Sequence, residues 1–353
     1  MPLSNPAPAS PWRTRLVPGH LLPRGRFAWW YFALALLLLA LGVVGLGFVE
    51  YVLSVWAEHS PWQHASVLLY APLFIATALL TPWLASRRLE ATDFPAPQGL
   101  LGWRMGVVIG ITITIQIVVN VFEVVVPGAR AASEEVALSL GLGESVISDV
   151  ALVLAVAMLA ALGEEWLFRG LLFRSLRDGL ARWLPLPVTS GIGMVASSAL
   201  FAVVHVGDGQ ITQWPALFLM GVLLALAYEW TGSLLVPMLV HALNNTLALF
   251  VMLEVPGVEL SSPWLLGLAG ASPLMVLVLG RFLLCRLPAA KPTDPSSPAA
   301  VPNQAQMAVA SEASLAPPPL PQPATPPAAA DWPPDVPPSA PPSAPTPPPA
   351  ANR

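Results

Sequence analysis

The sequence predicts an all-α fold: a polytopic membrane helical bundle of about eight transmembrane helices, followed by a disordered, Pro-rich C-terminal tail. Three observations predict it. The 353 residues are 55% hydrophobic and only 10% charged, against about 25% charged in soluble globular proteins. Apolar runs long enough to span a bilayer, about 20 residues each, recur along the chain. Finally, 22 of the 41 prolines lie at or after Pro288. The charge poverty excludes a water-soluble enzyme, and a net charge of -4 excludes a basic nucleic-acid binder, so no nucleic acid is expected as a partner. The single cysteine, Cys285, excludes a disulfide framework and a Cys-based zinc cluster.

In order, the spans are expected near residues 28–49, 65–85, 105–122, 150–168, 188–206, 214–230, 235–253 and 263–280. The first is no cleavable signal, because its apolar run exceeds a signal's core of roughly 7–15 residues and a long polar segment precedes it. Trp29, Trp30 and Tyr31 at its start, and Trp83 near the end of the second, suit the membrane interface. The fourth should continue past Phe168 as an amphipathic helix projecting out of the membrane. By these boundaries only Glu164 and Glu165 are charged residues fully inside a span, while Glu123, Glu229 and Glu254 sit at edges within reach of water. The eighth span leads to residues 288–353, whose Pro, Ala and Ser content cannot bury enough surface to offset ordering entropy. Composition favours an inert extension there over a docking tail for an aromatic-groove partner. The chain thus divides into an N-terminal segment 1–26, a membrane domain 27–287 and the tail 288–353.

Orientation follows from the basic residues. Fifteen of the 16 fall in connections on one side: Arg13, Arg15, Arg24 and Arg26; Arg87, Arg88 and Arg104; Arg169, Arg174, Arg177 and Arg182; Arg281, Arg286, Lys291 and Arg353. Only Arg130 falls on the other. Basic connections stay cytoplasmic, so both termini are expected in the cytoplasm. The 15:1 Arg:Lys ratio, with abundant Ala and Pro, points to a GC-rich bacterial source and hence a bacterial plasma membrane.

Ionisable residues inside a membrane helix are functional candidates. In Gly163-Glu164-Glu165-Trp166-Leu167-Phe168-Arg169, Glu165 and Arg169 have the i, i+4 spacing of a helical ion pair. Glu164 is rotated about 100° from Glu165 and is the carboxylate left less well paired. It can serve as a general base or as part of a structural pair. Phe201 and His205 share a helix face, as do His241 and Asn245; Asn244 should bond to a neighbouring helix. His20, His59 and His64 fall in connections. Counting from the turn near residues 182–187 puts Glu164 and His205 level. His241 counts out nearer the cytoplasm unless the hairpin around that turn projects.

Glu-Glu-x-x-x-Arg, then Phe-x-x-x-His, then His-x-x-x-Asn, in order on successive helices, resembles the CPBP family of type II CAAX prenyl endopeptidases, or abortive-infection intramembrane proteases. The resemblance covers roughly residues 150–254 and includes the turn Thr231-Gly232-Ser233. It implies a peptidase in which Glu164, helped by His205, activates a water, His241 and Asn245 stabilise the oxyanion, and Glu165 and Arg169, with Phe201, support the geometry. Membrane lipid and a peptide or membrane-anchored protein substrate are the implied partners. The family is often labelled metallo; Glu164, His205 and His241 would then hold zinc. A metal-free mechanism is favoured, since one glutamate does not readily serve as both zinc ligand and base. The alternatives are a proton-coupled transporter using the same Glu and His residues and a scaffold working through the tail. Against the transporter, no inverted repeat or pair of broken helices is visible.

Overall fold

The computed structural model describes residues 27–56, 67–85, 102–139, 142–143, 145–205 and 211–286. The chain divides into two units, Met1–Lys291 and Pro292–Arg353. The second unit, segment 1–26 and His20, His59 and His64 lie outside the described residues.

Among the described residues there are no strands. The helices are α1 (Tyr31–Trp56), α2 (Val67–Leu84), α3 (Trp103–Val125), α4 (Ala129–Ser139), α5 (Val146–Leu180), α6 (Leu186–His205), α7 (Trp214–Thr231), α8 (Leu235–Met252) and α9 (Trp264–Cys285). Seven of them are long and apolar enough to cross a membrane; the expected second span is the shorter apolar helix Leu68–Leu84 within α2. The outer faces are inverted relative to a soluble bundle. Ile109, Ile113, Ile117 and Val121, four apart on α3, are all more than half exposed, as are Leu274, Val278 and Phe282 on α9. Contiguous apolar stripes turned outward mark a lipid-facing surface.

α5 is the opposite case: every residue from Ala161 to Ser175 is buried. Two of its stretches, Leu154–Ala160 and Trp166–Phe173, wind as π-helix on either side of Ala161–Glu165. Such widened turns are rare and concentrate at functional sites. Two glycines permit the close packing around it. A Cβ on Gly163 would lie 2.7 Å from the Ala71 carbonyl oxygen of α2, and one on Gly221 of α7 would lie 2.8 Å from Ser198 Cβ of α6.

The continuation of α5 past Phe168 is buried in the bundle and is not an amphipathic projection. Arg174 Nε pairs with Asp178 at 2.6 Å, and its Nη1 donates to the Tyr228 hydroxyl at 3.1 Å. Arg177 pairs with Asp178 and, at 2.7 Å, with Glu229, which also accepts from Ser190 Oγ. Glu229 is therefore fully buried and ion-paired, not water-facing; buried charges persist where a partner neutralises them. Arg169, Arg174 and Arg177 are internal ligands of carboxylates, so they are not loop charges. Tyr31, expected at the interface, is buried edge-on to Trp30, whereas Trp29, Trp30 and Trp83 are exposed. The short helix α4 was not expected from hydropathy.

His241 and His205 lie at different distances along their helices, yet both lie against Glu164, at 3.8 and 3.2 Å. α6 starts nineteen residues before His205, but α8 starts only six before His241. Arg177 of α5 and Ser190 of α6 both contact Glu229, two residues before the end of α7, so the α5–α6 hairpin passes the α7–α8 turn by only a few residues.

Candidate active site

α5 presents Glu164 and Glu165 side by side, and the two carboxylates have different surroundings. Glu165 Oε1 accepts from Arg169 Nη1 at 2.7 Å and lies 2.8 Å from His241 Nδ1. Arg169 Nη2 also donates to the Gly221 carbonyl at 3.0 Å, locking α5 to α7. All three side chains are almost fully buried. The i, i+4 pair expected from spacing is present, and it has a third member, His241, that the spacing could not reveal.

Glu164 faces the histidines. Its Oε2 lies 3.2 Å from His205 Nε2 and 3.8 Å from His241 Nε2. The tautomer of His205 follows from its other nitrogen. Nδ1 is 2.7 Å from the Phe201 carbonyl, which can only accept, so Nδ1 carries a proton. A neutral ring would then turn a lone pair toward a carboxylate lone pair. The contact is attractive only when Glu164 and His205 share one further proton. The same logic applies to His241: Glu165, paired with Arg169, accepts from Nδ1–H, which leaves Nε2 directed at the Glu164 side.

Phe201 forms the floor. Its ring lies 4.3 Å from the His205 ring and 5.9 Å from the His241 ring, centroid to centroid, and Arg169 Cζ sits 4.7 Å over it. Asn245 Nδ2 donates to the Val156 carbonyl at 2.8 Å, inside the first π segment of α5. An amide nitrogen carries two hydrogens, so one remains. Asn244 points away, as its helix face predicts, accepting from Gln116 Nε2 of α3 at 2.9 Å. Access is from the His205 side: its side chain is 29% exposed against 8% for Glu164.

Both histidines turn Nε2 toward Glu164 Oε2, the set that would hold a metal. Among the described residues, however, no group of three His, Cys, Asp or Glu side chains is placed to hold a metal ion. No step below passes through a metal. What the arrangement offers is a proton-sharing carboxylate–imidazole pair beside a second imidazole and an amide, inside a helical membrane bundle. Such groups can move a proton and hold a developing negative charge.

Comparison with known proteins agrees. Residues 146–247 match the family described as Type II CAAX prenyl endopeptidase Rce1-like, a stretch that holds every residue of the three motifs. A protein of Escherichia coli described as "Uncharacterized 24.3 kDa protein" is 29% identical over 189 residues, which is 53% of this chain and 78% of that protein. No solved structure matches.

Proposed function

We propose that the protein hydrolyses peptide bonds of membrane-associated peptides or proteins, with Glu164 and His205 activating the water. The observation that carries the reading is the 3.2 Å contact between Glu164 Oε2 and His205 Nε2, with Nδ1 of that ring fixed by Phe201. The pair takes a proton from water as its oxygen adds to the amide carbon. It then returns a proton to the amine nitrogen as the C–N bond breaks. His241, held by Glu165, and the second hydrogen of Asn245 stabilise the oxyanion. His241 donates from Nε2 when both of its ring nitrogens carry a proton, Nδ1–H being held by Glu165.

The mechanism is metal-free on this reading, because Glu164 is committed to the proton and not to a metal. Purified protein should keep its activity through chelation; loss of activity with recovery on zinc addition would overturn the metal-free mechanism. The base is tested by Glu164→Gln on a fluorogenic peptide, where the rate should fall by about 10²–10⁴, the usual contribution of general acid–base catalysis. Equal cleavage by wild type and variant would remove Glu164 as the base. The setting is a bacterial plasma membrane with both termini cytoplasmic, supported by the solitary position of Arg130.

A further inference from the structure

A cavity of about 460 Å³ lies between α3, α4, α7 and α8, within the range of pre-formed ligand sites. On the lipid side of α3 a groove of about 380 Å³ runs beside it, closed by Leu247 of α8. Gln116 and Asn120 line both, so cavity and groove adjoin along α3 as a track beside α8. The walls are apolar, but a row of polar groups, Thr112, Gln116 and Asn120, runs along α3 at four-residue spacing. Thr112 Oγ1 is buried in this row with no hydrogen-bond partner among the described residues. The outer rim carries Glu123, Glu134 and Glu254 against a single base, Arg130, itself paired with Glu134 at 3.1 Å. The inner end stops one residue short of the catalytic group: Asn244 lines the cavity and donates to Asn245 Oδ1 at 3.3 Å, and Asn245 is one turn from His241.

We propose that this track binds the substrate as an extended, membrane-inserted peptide segment that enters between α3 and α8 and places a basic residue at the acidic rim. This rests on the endopeptidase reading and adds the substrate's class and route. The spacing supports it. Groups four apart on a helix recur every ~6 Å, and alternate residues of an extended chain recur every ~6.6 Å. The row on α3 therefore offers a donor or acceptor to every second residue of such a peptide. An extended segment in hydrocarbon needs such partners, because its own backbone groups are unpaired there. An acyl chain needs none, and the acidic rim selects a positive end.

The test uses the full chain in liposomes and two apolar peptides, one with a Lys-rich end and one with a Glu-rich end. A photo-crosslinker replacing Leu247 should attach to the Lys-ended peptide in a Glu164→Gln background. Crosslinks to lipid alone would overturn the proposal, whether or not wild type cleaves either peptide. Crosslinking to the peptide without any cleavage by wild type would keep the binding track and reject the endopeptidase. In the cleaving protein, Glu254→Lys, at an exposed position, should raise KM for the Lys-ended peptide about tenfold relative to the Glu-ended one, with kcat unchanged. An unchanged KM ratio would sink the acidic-rim selection.

Discussion

Glu164 and Glu165 are adjacent in sequence, yet substitution should separate them cleanly. Glu165 neutralises Arg169 and orients His241 in a site with almost no solvent contact. Replacing it with Gln leaves a buried guanidinium without its carboxylate, which typically costs about 3–5 kcal/mol. Glu165→Gln should therefore lower the melting temperature in detergent as well as the activity. Glu164→Gln should lower activity by about 10²–10⁴ while leaving that temperature unchanged or higher, because Glu164 bonds only to the two histidines. Equal loss of stability in both variants would show that Glu164 is structural too. The motif residues were legible because each pair lies i, i+4 on one helix. The bond from Glu165 to His241 was not legible, since 76 residues separate the partners and only helix packing joins them. Glu229 was misread for the same reason: its partner Arg177 lies on another helix, so an edge position looked wet.

At the scale of elements, the placement of α5 decides the site. Gly163 touches the α2 backbone next to the proposed catalytic carboxylate, so Gly163→Val should push α2 and α5 apart and cut activity together with stability. The cluster below tests what fixes the α5–α6–α7 register. Arg177→Met alone leaves Glu229 buried without its cation, at a cost of about 3–5 kcal/mol. Arg177→Met combined with Glu229→Leu removes both charges and leaves Arg174 balanced by Asp178, so most of the loss in melting temperature should return. If the double variant is as unstable as the single one, shape rather than charge balance holds the register. Hydropathy located the long apolar helices because length and composition suffice for that. It missed α4, whose eleven residues include Arg130, Glu134 and Glu135, and the π turns of α5, which arise from packing and leave no periodic signal.

For the whole molecule, the charge distribution implies an orientation that the helices can test. The hairpin between α5 and α6 runs past the level of the α7–α8 turn, and Trp183 stands exposed at its tip. Arg130 stands exposed on α4 at the opposite end of the bundle, beside the acidic rim of the track. If basic connections are retained inside, Trp183 faces the cytoplasm and Arg130 faces out. In a Cys285→Ser background, a membrane-impermeant maleimide should label Arg130→Cys in intact cells. Trp183→Cys should label only after permeabilisation. The converse pattern would invert the bundle and place the acidic rim in the cytoplasm. Labelling of both from outside would mean that α5 does not separate the two faces. The expected pattern has a chemical consequence as well. An acidic rim on the outer face draws a basic peptide end outward, so cleavage should leave that end on the outer side, where mass spectrometry of the released fragments can find it.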